Sequence, residues 1–222
     1  MSVKSLARGS ATRTANKLRR KERILDCARQ IIATQGYDAL TLAQLAKDAE
    51  VTIPTIHNLL GKKSQIIEVL VGEVVSHIDL VLARQAGDDP IKAIHDFTDS
   101  LMDLYGEDET LYKAAFVAGE RAQLFEHQSQ DGIFNRSLKL AVELCENALA
   151  NGHLNGDIPT RILAAQLFGC QRLARLDWMN NYISIGEYRS RILSGMFAIL
   201  AADASSAFKT RLIKEIRALQ SE

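Results

Sequence analysis

Proline is scarce in this chain of 222 residues; only Pro54, Pro90 and Pro159 interrupt it. With so few helix breakers and 47% apolar residues, the composition favours long helices around a substantial core. Cysteine is equally sparse. Cys27, Cys145 and Cys170 lie far apart without a C-x-x-C, so this odd set points to reduced, packed thiols rather than a disulfide frame. A redox-sensing thiol stays open as an alternative. Strand alternation, internal repeats and low-complexity tracts are all missing. The longest uncharged apolar stretch, Ile192 to Ala202, is 11 residues, against the roughly 20 that a bilayer crossing needs. No apolar signal segment follows the basic N-terminus, so a cytoplasmic protein without membrane association is expected.

Enzyme signatures are missing too. There is no P-loop, G-x-G-x-x-G, G-x-S-x-G or H-E-x-x-H. The five histidines (His57, His77, His95, His127, His153) include no i, i+4 pair. Asp96, Asp99 and Asp103 share a predicted helix face beside His95, which reads as a solvated face rather than a metal or general-base site. No catalytic residue, metal or cofactor is therefore expected.

Net charge is zero, but its distribution is not even. Residues 1–63 hold 12 Lys/Arg against 5 Asp/Glu, whereas residues 64–222 hold 15 against 22. A basic head on an acidic body suits a protein whose head alone meets a polyanion.

Residues 1–16 are polar, small and basic, and are expected to form a flexible arm. From Lys17 the pattern turns helical. Ile24, Leu25, Ala28, Ile31 and Ile32 make one apolar stripe that ends at Gly36. Thr41 is an N-cap candidate ahead of Leu42, Leu45, Ala46 and Ala49. Thr52 is a second, with Pro54 in the first turn of a short helix over 53–60 that stops at Gly61. Two short helices joined by a tight turn, packed on a longer one, outline a helix-turn-helix. Longer helices are predicted over 64–84, 91–105, 109–128, 133–151, 159–181, 186–203 and 205–220, with breaks at segments carrying Gly, Pro, Asn or Asp. The fold class is all-α.

The segments Arg23–Arg29 (RILDCAR), Gly36–Thr52 (GYDALTLAQLAKDAEVT) and Ile53–Lys63 (IPTIHNLLGKK) resemble the DNA-binding region of the TetR family of repressors. The resemblance implies a three-helix DNA-binding domain over 17–63 and a larger helical domain over 64–222 that dimerises and holds a small-molecule effector. It implies a repressor that binds a palindromic double-stranded DNA operator as a homodimer and is released by a mainly apolar ligand.

Departures from the family pattern are informative. Glu50 stands where the family usually has glycine; left-handed backbone there would cost on the order of 1 kcal/mol. Ile53-Pro54, His57 and Leu59-Leu60 are also atypical, and Val51 to Leu60 contains no lysine or arginine. Thr52, Thr55, His57 and Asn58 are the polar groove candidates, His57 for a phosphate with packing as its other role, and Thr41 and Pro54 complete the expected DNA-binding set on these helices. Asn58 suits an adenine edge and Thr55 a thymine methyl or a phosphate, with a solvent-facing role for Asn58 left open. Backbone attraction then falls to Arg19, Arg20, Lys62 and Lys63 with the arm, which is expected to follow the minor groove. Loss of specific DNA binding, with action through protein contacts, is the alternative reading.

In the larger domain the resemblance places the dimer face on 159–181 and 186–203. Ala165, Gly169, Gly195, Ala198 and Ala202 would allow close approach, and Leu173, Leu176, Ile192, Met196 and Ile199 would supply apolar contact. The subunit's own core is the other place those stripes could face. Residues available to an effector pocket are Phe97, Leu101, Met102, Tyr105, Tyr112, Phe116, Phe125, Phe134, Cys145, Phe168 and Trp178. Arg121, Gln171 and Arg172 are polar groups able to orient a ligand, with ordinary core packing the competing role for most of the set.

Overall fold

The computed structural model describes residues 3–82, 89–124 and 133–219. Among the described residues there are ten α-helices and no strand; one isolated bridge joins Leu154 and Ala204. No helix among them is long and apolar enough to cross a membrane.

The chain packs as two compact units: Met1–Val74 with Thr110–Leu124, and Val75–Glu109 with Phe125–Glu222. The first unit contains α1 (Val3–Gln35), α2 (Leu42–Asp48), α3 (Ile53–Leu60), the first half of α4 (Lys63–Leu82) and nearly all of α6 (Glu109–Arg121). Its core follows the expected stripe: Ile24, Leu25, Ala28, Ile31 and Ile32 are buried, together with Leu45, Ile56, Ile66, Ile67 and Leu70. A division at residue 63 is expected from the sequence. The compact unit extends further because the buried α4 face runs on through Val71 and Val74, and Arg29 of α1 pairs with Glu73 at 2.5 Å. The expected arm over 1–16 also differs. Helix α1 already begins at Val3; no proline interrupts the segment, although Gly9 and several Ser, Thr and Asn residues in it are poor helix formers.

The second unit holds the end of α4, α5 (Pro90–Glu107), α7 (Ile133–Ala150), α8 (Thr160–Met179), α9 (Ile185–Ala201) and α10 (Ser206–Ala218). Local chemistry sets these ends. Asp89 caps α5 by accepting the Ile91 N–H at 3.1 Å, and Ser184 with Glu187 forms a full capping box on α9. Helix α8 closes with Asn181 in left-handed backbone, its N–H reaching the Trp178 carbonyl while that of Tyr182 reaches Asp177. Helix α6 ends in the same way at Gln123 (φ 57°), short of the predicted 128, and the predicted break over 129–132 lies outside the described residues.

The loop between α7 and α8 is fastened from below. The buried Asp203 carboxylate accepts the backbone N–H groups of Gly156 (3.0 Å), Asp157 (2.9 Å) and Ile158 (3.2 Å). The three cysteines are free, and burial pushes each thiol up, that of Cys145 to about 11.

Candidate functional site

Helices α2 and α3 are short and each is pinned at its start by a threonine. The Thr41 hydroxyl accepts the Gln44 N–H at 3.1 Å. That of Thr52 accepts the Thr55 N–H at 3.3 Å and lies 2.9 Å from the Thr55 hydroxyl. Pro54 sits in the first turn, where its missing N–H leaves no intrahelical bond unmade.

Between the two helices Glu50 adopts φ 50°, so the turn keeps left-handed geometry without a glycine. Its N–H meets the Lys47 carbonyl at 3.2 Å and that of Val51 meets the Ala46 carbonyl at 2.9 Å. These two bonds close α2 and redirect the chain into α3. Arg23 of α1 grips the same residue, donating to its carbonyl at 3.4 Å and lying 3.5 Å from its carboxylate. Gly61 ends α3 at φ 85°. A Cβ there would fall 1.9 Å from the Gln65 Oε1 that accepts the Lys62 N–H at the start of α4.

Burial sorts α3 into two faces. Ile56 and Leu60, one turn apart, are buried, while Thr52, Ile53, Pro54, His57 and Asn58 are exposed and Thr55 is half-buried. All the predicted groove candidates of α3 therefore sit at or beside one solvent face. Ile53, absent from the expected set, joins that face at 39% exposure. Its signal was available in the sequence, as an apolar residue just after the cap but off the Ile56–Leu60 stripe. An exposed branched methyl group there suits the C5-methyl of thymine.

The basic candidates divide. Arg19, Arg20 and Lys62 are exposed. Lys63 is half-buried; its ammonium donates to the Tyr37 carbonyl at 3.1 Å and lies 4.2 Å from the centre of the Tyr37 ring. It thus ties α4 to the short 3-10 turn Tyr37–Ala39, which no periodicity in the sequence marks.

Among the predicted effector residues, Tyr112, Phe116 and Arg121 fall in the first unit. The two aromatic rings are buried, whereas Arg121 is exposed and pairs with Asp38 at 2.8 Å. In the second unit Leu101, Tyr105, Cys145, Gln171 and Trp178 are buried, Phe97, Met102 and Phe168 are half-buried, and Arg172 is exposed. Phe125 and the side chain of Phe134 lie outside the described residues.

Trp178 is the centre of a stack, 5.2 Å from the Tyr105 ring and 5.4 Å from that of Tyr188, with its indole N–H on Glu109 at 3.0 Å. Gln171 donates to the Tyr188 hydroxyl at 2.9 Å. These contacts are those of a finished core. The Asp96, Asp99 and His95 groups also have partners: Lys92, Arg189 (2.7 Å) and Glu215 (3.3 Å) respectively. An open groove of about 590 Å³ runs along α10 past Lys209, Ile213 and Lys214, away from every predicted effector residue in the sequence.

The predicted dimer helices present a mixed result. Ile162, Ala165, Gly169, Leu173 and Leu176 of α8 are exposed at heptad-like spacing, as are Ala198 and, just past α9, Ala202. Ile192 and Met196, expected on that face, are buried in the subunit itself. Gly195 serves contact within the unit, since a Cβ there would meet the Cys170 sulfur at 2.2 Å.

Residues 24–70 match the family model described as bacterial regulatory proteins, tetR family. None of the curated proteins compared with the chain matches it. Solved structures share its fold. One is a gamma-butyrolactone receptor (ArpA-like protein), 15% identical, with TM-score 0.64, covering 93% of this chain and 98% of that one. Another is CprB from S. coelicolor A3(2), a TetR family protein, 16% identical, with TM-score 0.65, covering 92% and 99%. A third is the SmeT–triclosan complex, 19% identical, with TM-score 0.58, covering 85% and 93%.

Proposed function

We propose that the chain is a TetR-family transcriptional repressor that binds a palindromic operator as a homodimer and is released by a small, mainly apolar effector; the match of residues 24–70 to the family model and the shared fold support this reading. The observation that carries the DNA reading is the solvent face of α3. Five neighbouring residues from Thr52 to Asn58 are exposed there on a helix held at both ends. In this reading Asn58 and Ile53 meet base edges, Thr52, Thr55 and His57 meet phosphate or sugar, and Arg19, Arg20 and Lys62 supply backbone attraction.

Lys63 takes a different part from a bare phosphate contact. By holding Tyr37 it keeps the start of α4 against the 3-10 turn, so its loss would loosen the domain as well as its charge. For the effector, fold relatives named as a gamma-butyrolactone receptor and a triclosan complex support a small organic molecule. Phe97, Met102 and Phe168, half-buried rather than locked in the core, are the residues best placed to meet it.

Binding of the intact protein to DNA upstream of its own coding region tests this reading. We expect Asn58→Ala to lose about 1–3 kcal/mol of discrimination between operator and scrambled duplex. Lys62→Ala should weaken both duplexes alike and flatten the salt dependence by about one phosphate. An intact protein that prefers no sequence would instead favour a TetR-fold chain acting through protein contacts.

A further inference from the structure

The described side chains of α1 that precede Ile24 have no core to pack on. The helix begins at Val3, and none of its described side chains from Arg13 to Arg23 is buried; the first described one that is buried is Ile24. At about 1.5 Å per residue, the stretch from Arg13 to Arg23 spans roughly 16 Å of helix ahead of the first described buried residue. Residues 13–20 are exposed without exception, including Leu18 at 61%. Burial of an apolar face thus contributes nothing to this stretch, although such burial is what holds most helices in proteins.

Electrostatics within the chain do not hold it either. Between Met1 and Lys21 there are seven lysines and arginines and no acidic residue. The first turn carries no acid, so the positive end of the helix dipole meets only positive charge. Arg13, Lys17 and Lys21 repeat at i, i+4, and Lys17 and Arg20 stand at i, i+3, spacings at which like charges oppose a helix. Each unfavourable term changes sign beside a polyanion.

We infer that residues 3–23 form a phosphate-tracking helix, one that follows the DNA backbone beyond the base pairs reached by α3. This inference rests on the DNA-binding reading above, but it replaces the extended minor-groove arm with a charged helix. Duplex DNA fits better than an anionic membrane, because Leu6 and Leu18 are the only large apolar residues besides Val3 in the segment.

Two variants of the full chain separate charge from helix. Arg13→Ala/Lys17→Ala/Arg19→Ala/Arg20→Ala removes four charges while keeping good helix formers. Ala15→Pro keeps every charge and breaks the helix. Both changes lie ahead of the first described buried residue, and an unchanged melting temperature would verify an intact core. Affinity for a 40-base-pair random duplex is measured against salt, with helicity followed at 222 nm. The inference expects the four-alanine variant to flatten the log–log salt slope by about 3–4. It expects Ala15→Pro to flatten that slope in the same direction, and both variants to lose the DNA-dependent helicity that the parent gains.

A four-alanine effect with Ala15→Pro unchanged would overturn the helix in favour of an extended arm. No effect of either variant on a parent that binds would place the segment off the DNA. A parent gaining helicity on phosphatidylserine vesicles but not on duplex would overturn the choice of partner. A parent that binds no duplex at low salt would instead remove the DNA reading itself.

Discussion

Replacing Glu50 with glycine would remove the Cβ that opposes left-handed backbone while leaving both carbonyl–amide bonds of the turn intact. The exposed pair with Arg23 (side-chain exposures 49% and 82%) contributes little to offset this. Glu50→Gly should therefore raise stability by about 1 kcal/mol, visible as a higher melting temperature with no change in helicity. A fall in melting temperature would mean that the Arg23 contact matters more than the strained φ. This position shows how far single residues can be read. Glu50 was identifiable because the family that the segment resembles usually has glycine there, the residue that left-handed backbone favours. Lys63 was not, since its link to Tyr37 spans 26 residues and leaves no local pattern. Gln123 was missed for a related reason: glutamine carries no compositional sign of left-handed backbone.

Helix ends were the most readable elements, because caps and breakers act on their immediate neighbours. Predicted helices over 64–84, 133–151 and 186–203 differ from α4, α7 and α9 by no more than two residues at either end. What periodicity could not show is how elements are fastened across long separations. Asp89 illustrates this, since it caps α5 and also accepts from Arg211 of α10 at 2.5 Å. Partial burial works against its ionised form, but the Arg211 bond, the Ile91 N–H and the guanidinium charge outweigh it and hold the carboxyl below the usual range. A carboxyl with a lowered folded pKa stabilises above its unfolded value and loses that contribution as pH falls through the folded one. Asp89→Asn keeps a cap but not the charge. The parent should exceed it by up to about 1 kcal/mol at pH 7, with the gap closing below about pH 4. Parallel melting curves across that range would contradict the assignment. Asp203→Ala should cost more, about 2–4 kcal/mol, because three buried-side backbone donors lose a charged acceptor at once. Urea melts with an unchanged slope would measure that loss directly.

For the whole molecule, the decisive observation is which apolar residues the single subunit leaves uncovered. The resemblance puts Ile192, Met196, Leu173 and Leu176 on one dimer face, with the subunit's own core as the other place for them, because a helix stripe does not reveal its partner. Packing divides them: the first two close the subunit core, and the second two stay in solvent at 63% (Leu173) and 43% (Leu176). Leu173→Glu with Leu176→Glu should therefore spare the fold and disrupt the proposed pairing of subunits. Sedimentation would report a monomer, and operator affinity would fall because half-sites could no longer be held together. A doubly substituted protein that still sediments as a dimer would move the interface off α8. The charge map belongs to this scale as well, since a neutral chain divides into a basic reading end and an acidic remainder.

The stack of Tyr105, Trp178 and Tyr188 makes the only tryptophan of the chain an internal spectroscopic reporter. Its indole is shut from water, so its emission will be blue-shifted and resistant to quenching by iodide, and the flanking tyrosines will pass it their excitation energy. Fluorescence excited selectively at the indole then follows the melting of the second unit, since Tyr37 and Tyr112 lie in the first, and an extrinsic dye on the first unit would report the DNA-reading helices separately.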